Sequence, residues 1–151
     1  AFVDYYRKAY QIAKNHGKEL IYSGARINTL SNIFCQASGQ SCAVTPEGWI
    51  TSCYEVLSVE NPLASVFFYG KYNAELRKME INDDLRKNLF KLTVLNKPKC
   101  QSCFCKWHCA GDCPAKSIQA EEMLSDEYPD RCYINRELTK DQLLEAMEYE
   151  E

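Results

Sequence analysis

Nine cysteines in a chain of 151 residues restrict what this sequence can fold into more than any other feature: Cys35, Cys42, Cys53, Cys100, Cys103, Cys105, Cys109, Cys113 and Cys132. Five of them crowd into Cys100-Gln101-Ser102-Cys103-Phe104-Cys105-Lys106-Trp107-His108-Cys109-Ala110-Gly111-Asp112-Cys113. An isolated buried cysteine packs as a small apolar residue, but ordinary packing does not account for five in so short a stretch. Thiolates at this density hold iron or zinc, so an inorganic centre is expected. Disulfides are the competing use. They belong to oxidising compartments and pair in even numbers, whereas here the count is odd and no export signal is visible.

The rest of the composition is that of a globular chain. Its 46% hydrophobic residues suffice to bury a core without help from metal alone. A formal charge of −3 leaves no basic footprint for nucleic acid, and the local run Lys91, Lys97, Lys99 and Lys106 reads as a solvated face. Glu121, Glu122, Asp126, Glu127, Asp130, Glu145, Glu148, Glu150 and Glu151 make the C-terminal part acidic, which reads as solubility rather than partner binding. No stretch has the length and apolarity of a membrane span, and no signal peptide is recognisable. A cytoplasmic protein with no membrane or nucleic-acid partner is expected.

Along the chain, Phe2, Tyr5, Tyr6, Ala9, Ile12 and Ala13 recur at three- and four-residue steps and predict an amphipathic helix stopped by Gly17. Leu20-Ile21-Tyr22, ending at Ser23-Gly24, reads as a short buried strand. Between Cys42 and Cys53, Pro46-Glu47-Gly48 predicts the turn of a β-hairpin. In its second strand Trp49, Thr51 and Cys53 would share one face, opposite Ile50, Ser52 and Tyr54. Val66 to Gly70 reads as a further strand after the break at Asn61-Pro62. Asn82 caps a predicted helix with Asp83 and Asp84 in its first turn, carrying Leu85, Leu89, Phe90 and Leu92 inward and ending before Pro98. Thr139-Lys140-Asp141-Gln142 reads as a capping box opening a last helix with Leu143, Leu144 and Met147 on one side. His16 falls in the last turn of the first helix, a favourable place for a cation.

Iron-sulfur clusters take four thiolates each, best supplied by short loops. Cys100-x2-Cys103 is such a loop, and Gly111 and Pro114 permit tight turns about Cys109 and Cys113, with Ala110 small enough for close approach. Eight of the nine cysteines would fill two four-thiolate cubes. The order Cys35-x12-Gly48-x4-Cys53, a gap, Cys100-x2-Cys103-x5-Cys109-x3-Cys113 and a distal Cys132 resembles the SPASM domain, the auxiliary-cluster module of radical SAM peptide- and protein-modifying enzymes. The resemblance covers roughly residues 35 to 136 and includes Val44-Thr45-Pro46-Glu47-Gly48, Phe68-Tyr69-Gly70-Lys71 and Cys109-Ala110-Gly111-Asp112-Cys113-Pro114. It implies one 4Fe-4S cluster on Cys35, Cys42, Cys53 and Cys113 and a second on Cys100, Cys103, Cys109 and Cys132. Cys105 is left as a free, packed thiol. The clusters would relay an electron from a substrate radical or position substrate, and full thiolate ligation favours relay.

No three cysteines have the Cys-x3-Cys-x2-Cys spacing that binds the catalytic cluster of radical SAM enzymes; Cys105-x3-Cys109-x3-Cys113 misses by one residue. The resemblance therefore implies that S-adenosylmethionine and a third cluster belong to a separate N-terminal domain, the chain alone having no catalytic residues. Residues 1–24 would be the last helix and strand of a partial TIM-type barrel, and residues 25–151 the auxiliary domain with its C-terminal helix. The partners implied are the barrel and a peptide or protein substrate, with a dimer as the other way to cover an exposed N-terminal segment. Sulfatase-maturing members place an Asp after the cysteine corresponding to Cys53; here Tyr54 follows, then Glu55, which favours a peptide maturase. The fold class expected is α+β: a small antiparallel hairpin with cysteine-rich loops, flanked by helices. Trp107 and His108 stand beside Cys109, where they would shield a cluster or simply pack. The alternatives are a structural zinc module, which His108 could join, and a peptide-recognition module that adds a strand at Ala43 to Thr45.

Overall fold

A computed structural model of the chain describes residues 1–122 and 131–148. Asp126, Glu127, Asp130, Glu150 and Glu151 of the acidic C-terminal part lie outside them. The architecture is α+β. In chain order the elements are α1 (Phe2–Asn15), β1 (Ala43–Val44), β2 (Trp49–Thr51), α2 (Ala64–Phe67), β3 (Phe68–Asn73), β4 (Lys78–Ile81), α3 (Asp83–Leu89), α4 (Lys106–Cys109), α5 (Pro114–Glu122) and α6 (Arg131–Glu148). Two single 3-10 turns, Val94–Asn96 and Pro98–Cys100, lead into the cysteine-rich stretch. No helix among the described residues is long and apolar enough to cross a membrane.

The four strands form one antiparallel sheet in the order β1-β2-β3-β4. The hairpin about Pro46 forms as its turn chemistry predicts. Gly48 takes φ +83°, a conformation glycine reaches without steric cost, and the Thr45 hydroxyl accepts the Trp49 N–H at 3.2 Å. The expected alternation along β2 fails. A register shift between Ile50 and Thr51 breaks the two-residue period, as a bulge does, so Ile50, Thr51, Ser52 and Cys53 are all buried. The expected strand from Val66 is displaced: Val66 and Phe67 finish α2, and the strand runs from Phe68 to Asn73. Its partner β4 is exposed at every residue; with no face to bury, it carries no hydrophobic alternation by which sequence could announce it.

The sheet packs beneath the core, where Ile50, Val56, Leu63, Phe67, Phe68, Tyr69 and Leu89 gather with Cys53, Ala37 and Ala115. Asn82 caps α3 as expected, its Oδ1 accepting the N–H groups of Asp84 at 3.1 Å and Leu85 at 3.0 Å. That helix stops at Leu89, leaving Phe90 half-exposed. Replacing Asn82 with alanine should remove both bonds and cost about 1 kcal/mol; chemical denaturation of N82A beside the parent chain measures it.

A second, smaller core joins α1 to α6 through Val3, Ala25, Ile134 and Leu138, with Tyr6 and Tyr22 against it. The inward face of α1 is therefore Val3, Tyr6, Tyr10 and Ala13, while Phe2, Tyr5, Ala9 and Ile12 face out. The correction has a polar cause. Arg7 reaches Glu137 and Asp141, and Tyr10 and Lys14 both reach Glu145, so the ion pairs to α6 set the rotation of the helix. Leu20-Ile21-Tyr22 is not a strand. It has no sheet neighbour, and the Leu20 carbonyl accepts the Tyr6 hydroxyl at 3.0 Å instead. Gly17 does end the first helix, at φ +64°, with His16 as its C-cap.

The proposed capping box at Thr139 is also overturned. α6 runs unbroken from Arg131 to Glu148, and Thr139 lies fully buried in its middle. The apolar Ile134 and Leu138 one turn apart bind this stretch to the α1 core, and that burial outweighs the capping preference of a threonine.

Candidate metal centre

The cysteines fall on loops and element ends rather than inside helices or strands, apart from Cys109 and Cys132. Cys35 opens a turn closed by N–H bonds from Gln40 and Ser41 to the Gln36 carbonyl at 2.9 and 2.8 Å. Cys53 leaves β2 and packs in the sheet core, with Cys113 against that core from the start of α5. Burial raises the thiol pKa of both Cys35 and Cys53, and Cys113 lies near enough for its charge to add to the rise. It is partly offset at Cys35 by the Ala37 N–H and at Cys53 by the Glu55 N–H, each donated to sulfur. Cys42, expected in the same set, is exposed at the foot of β1. It meets the hydroxyl of Tyr69, whose pKa burial and the Cys42 contact together push upward.

The second set is built on tight turns. The Cys103 N–H bonds to the Cys100 carbonyl at 3.1 Å and the Cys109 N–H to the Cys105 carbonyl at 2.9 Å. After Cys109 the backbone passes through Ala110 at φ +52°, Gly111 at +80° and Asp112 at +63°. Three successive left-handed residues, two of them not glycine, are a strained arrangement that its surroundings must hold. The Asp112 N–H closes the turn on the Cys109 carbonyl at 3.1 Å, the Gly111 and Asp112 N–H groups both favour the Cys109 thiolate, and the Asn135 side-chain amide donates to the sulfur itself, Nδ2 to Sγ at 3.2 Å. Burial nevertheless leaves the Cys109 pKa above its ordinary value.

Cys105 is not simply a packed leftover. It is buried as expected, yet its sulfur lies 3.4 Å from that of Cys103, and burial with the Cys103 contact drives its thiol up. Cys100 is half-buried at the end of its 3-10 turn, and Cys132 is exposed in the first turn of α6.

Arg131, beside Cys132, clamps α6 to the strained turn. Its Nε and Nη2 donate to the two oxygens of Asp112, the latter at 2.9 Å. Burial alone would raise the Asp112 pKa. The guanidinium, the Cys113 N–H and the Asn135 amide outweigh it and hold the carboxyl below its ordinary range. Asn135 is fully buried and bridges Asp112 and Cys109. Sequence inspection missed this network, although Arg131, Asn135 and Thr139 form a four-residue polar spacing beside Ile134 and Leu138.

Other expectations change on folding. Lys97 is not a solvated charge; its ammonium donates to the Gly111 carbonyl at 2.6 Å and to Ser117 at 2.8 Å, bracing the same turn. Trp107 is half-exposed under Lys106, 4.8 Å from ammonium to ring centre. His108 keeps a buried Nδ1 without a hydrogen-bond partner among the described residues. Arg26 ties the Cys35 loop to α4, donating to the Phe34 carbonyl at 3.1 Å and the His108 carbonyl at 3.4 Å.

Among the described residues no three Cys, His, Asp or Glu side chains group tightly enough for a single ion. On one tetrahedral zinc, thiolates would stand about 3.8 Å apart, from a zinc-sulfur bond of about 2.3 Å; a cube of four irons spreads its ligands wider. Neighbouring thiols that accept N–H bonds are the donor set an iron-sulfur cluster requires. On that test Cys35, Cys53 and Cys109 accept N–H bonds at sulfur, Cys113 acts on the first two, and Cys103 meets Cys105, a donor chemistry that suits a cluster. Comparison with known proteins adds nothing to this geometry: no family model, no curated protein and no solved structure matches the chain.

Proposed function

We propose that this chain is an auxiliary iron-sulfur domain of the SPASM type, serving a radical SAM enzyme that modifies a peptide or protein. The observation that carries the reading is that Cys35, Cys53 and Cys113, from three distant segments, lie near enough for their charges to act on one another, with N–H groups favouring the thiolate at the first two. Cys42 completes the first ligand set by its place in the motif; Cys100, Cys103, Cys109 and Cys132 make the second. A 4Fe-4S centre so ligated supplies one-electron transfer. The chain's own residues hold the thiolates, bury them and direct N–H groups at sulfur.

Residues 1–24 are read as the end of a barrel, and the outward Phe2, Tyr5, Ile12 and Ile21 as the surface that meets it. S-adenosylmethionine and the catalytic cluster are assigned to that barrel. Glu55 pairs with Lys116 at 2.8 Å on the surface, and Tyr54 stands where sulfatase-maturing members carry the Asp. That replacement favours a peptide maturase over a sulfatase maturase.

Anaerobic reconstitution followed by iron, sulfide and zinc analysis, with EPR of the reduced protein, tests the reading. The expected result is about eight iron and eight sulfide per chain and two reducible signals. Stoichiometric zinc in a folded chain that takes up no stable iron would overturn it in favour of a structural zinc module.

A further inference from the structure

We infer that Asn135 is a positioning residue for the second cluster, its side-chain amide donating to the Cys109 sulfur and thereby raising the reduction potential of that centre. The inference rests on the cluster reading above and goes beyond it, since the motif assigns no role to any residue of α6 other than Cys132.

The geometry separates this amide from ordinary packing. Asn135 is fully buried in the second turn of α6, where a polar side chain is costly unless it is bonded. Its Nδ2 lies 3.2 Å from Cys109 Sγ, and the same amide supports the Asp112 carboxylate. Its orientation is enforced. Asp112 is fixed by Arg131, and Gly24 crosses so closely that a Cβ there would come within 2.2 Å of Asn135 Oδ1. Only glycine lets that loop lie against the amide. Turning the amide by half a turn would bring Oδ1 against the Cys109 sulfur and the Asp112 carboxylate, both acceptors, so these two partners hold the N–H toward sulfur.

The physical consequence follows from charge. Reduction adds an electron whose density spreads onto the ligating thiolates, and an N–H dipole aimed at sulfur stabilises the reduced form more than the oxidised one. The Gly111 and Asp112 N–H groups act on the same thiol, but they belong to the backbone and survive substitution. Asn135 is the one donor of the three that a point mutation removes cleanly.

The experiment uses the full chain reconstituted with iron and sulfide, and reads the midpoint potentials of its clusters by EPR-monitored titration. N135L should retain both clusters and lower one potential, making that centre about tenfold harder to reduce, equivalent to about 59 mV for a one-electron couple. N135S, which keeps a shorter donor, should fall between the two. If leucine impairs folding, the parent chain labelled with 15N-asparagine provides the check without a mutation: a pulsed-EPR coupling from the label to one reduced cluster is expected, and its absence overturns the inference. Unchanged potentials in N135L at full iron content overturn the inference and leave the cluster reading standing. A parent chain that takes up no iron overturns both.

Discussion

Phe67→Ala is expected to lower the free energy of unfolding by about 3–5 kcal/mol, the range for deleting a large buried aromatic ring. Phe67 is wholly buried at the end of α2 and lies in the same core as Ile50, Leu63, Leu89 and Cys53. Neighbours on the sheet side are held by backbone bonding, the Ser52 N–H donating to the Phe67 carbonyl at 3.0 Å, so the cavity cannot collapse freely. The measure is urea denaturation of both chains in the same metal state, where the midpoint should fall with little change in slope. Phe67→Leu, which refills much of the space, should lose far less. Equal losses for the two variants would mean that ring volume is not what this core uses.

Asp112→Asn should cost about 2 kcal/mol, less than the roughly 3–5 of a fully buried pair because the Arg131 side chain remains partly in solvent. The substitution keeps the shape and removes the charge that fastens α6 to the turn carrying Cys109 and Cys113. It should also change the pH profile in a definite sense. The folded carboxyl is held below its unfolded value of 3.8. Its contribution is therefore complete above that value and is lost as pH falls through the lower folded pKa. The parent chain should lose this stability on acidification below about pH 4, and D112N should lack that part of the loss. Denaturation curves at neutral pH and in the acid range read both effects. A difference that persists undiminished in strong acid would assign the loss to packing rather than charge.

Much of the frame was legible in the residues. Asn82, Pro46-Glu47-Gly48 and Gly17 act through the backbone of their immediate neighbours, so their cap, turn and stop appear where their chemistry places them. Their energies are local and need no knowledge of what packs above them. The expectations that failed were those in which a local preference met a distant partner. Thr139 could cap a helix, but Ile134 and Leu138 find Val3 and Ala25 across the molecule, and the helix runs through. Leu20-Ile21-Tyr22 could form a strand, but among the described residues it pairs with none, and the Leu20 carbonyl accepts the Tyr6 hydroxyl instead. The outward turn of Phe2 and Ile12 follows from Arg7 and Lys14 reaching α6, and no period within α1 contains that information.

The candidate centre divides along the same line. Cysteine number and spacing alone mark this chain for thiolate chemistry and provide the loops that carry it, because spacing in a short loop limits which sulfurs can converge. Tertiary structure decides which of them meet: it sets Cys113 near enough to act on Cys35 and Cys53, places Cys42 beside Tyr69 and sets Cys105 against Cys103. It also supplies Asp112, Arg131 and Asn135 as a single network across two helices and a turn. Such a network depends on distance and burial between residues some twenty positions apart, and these quantities exist only once the chain has folded.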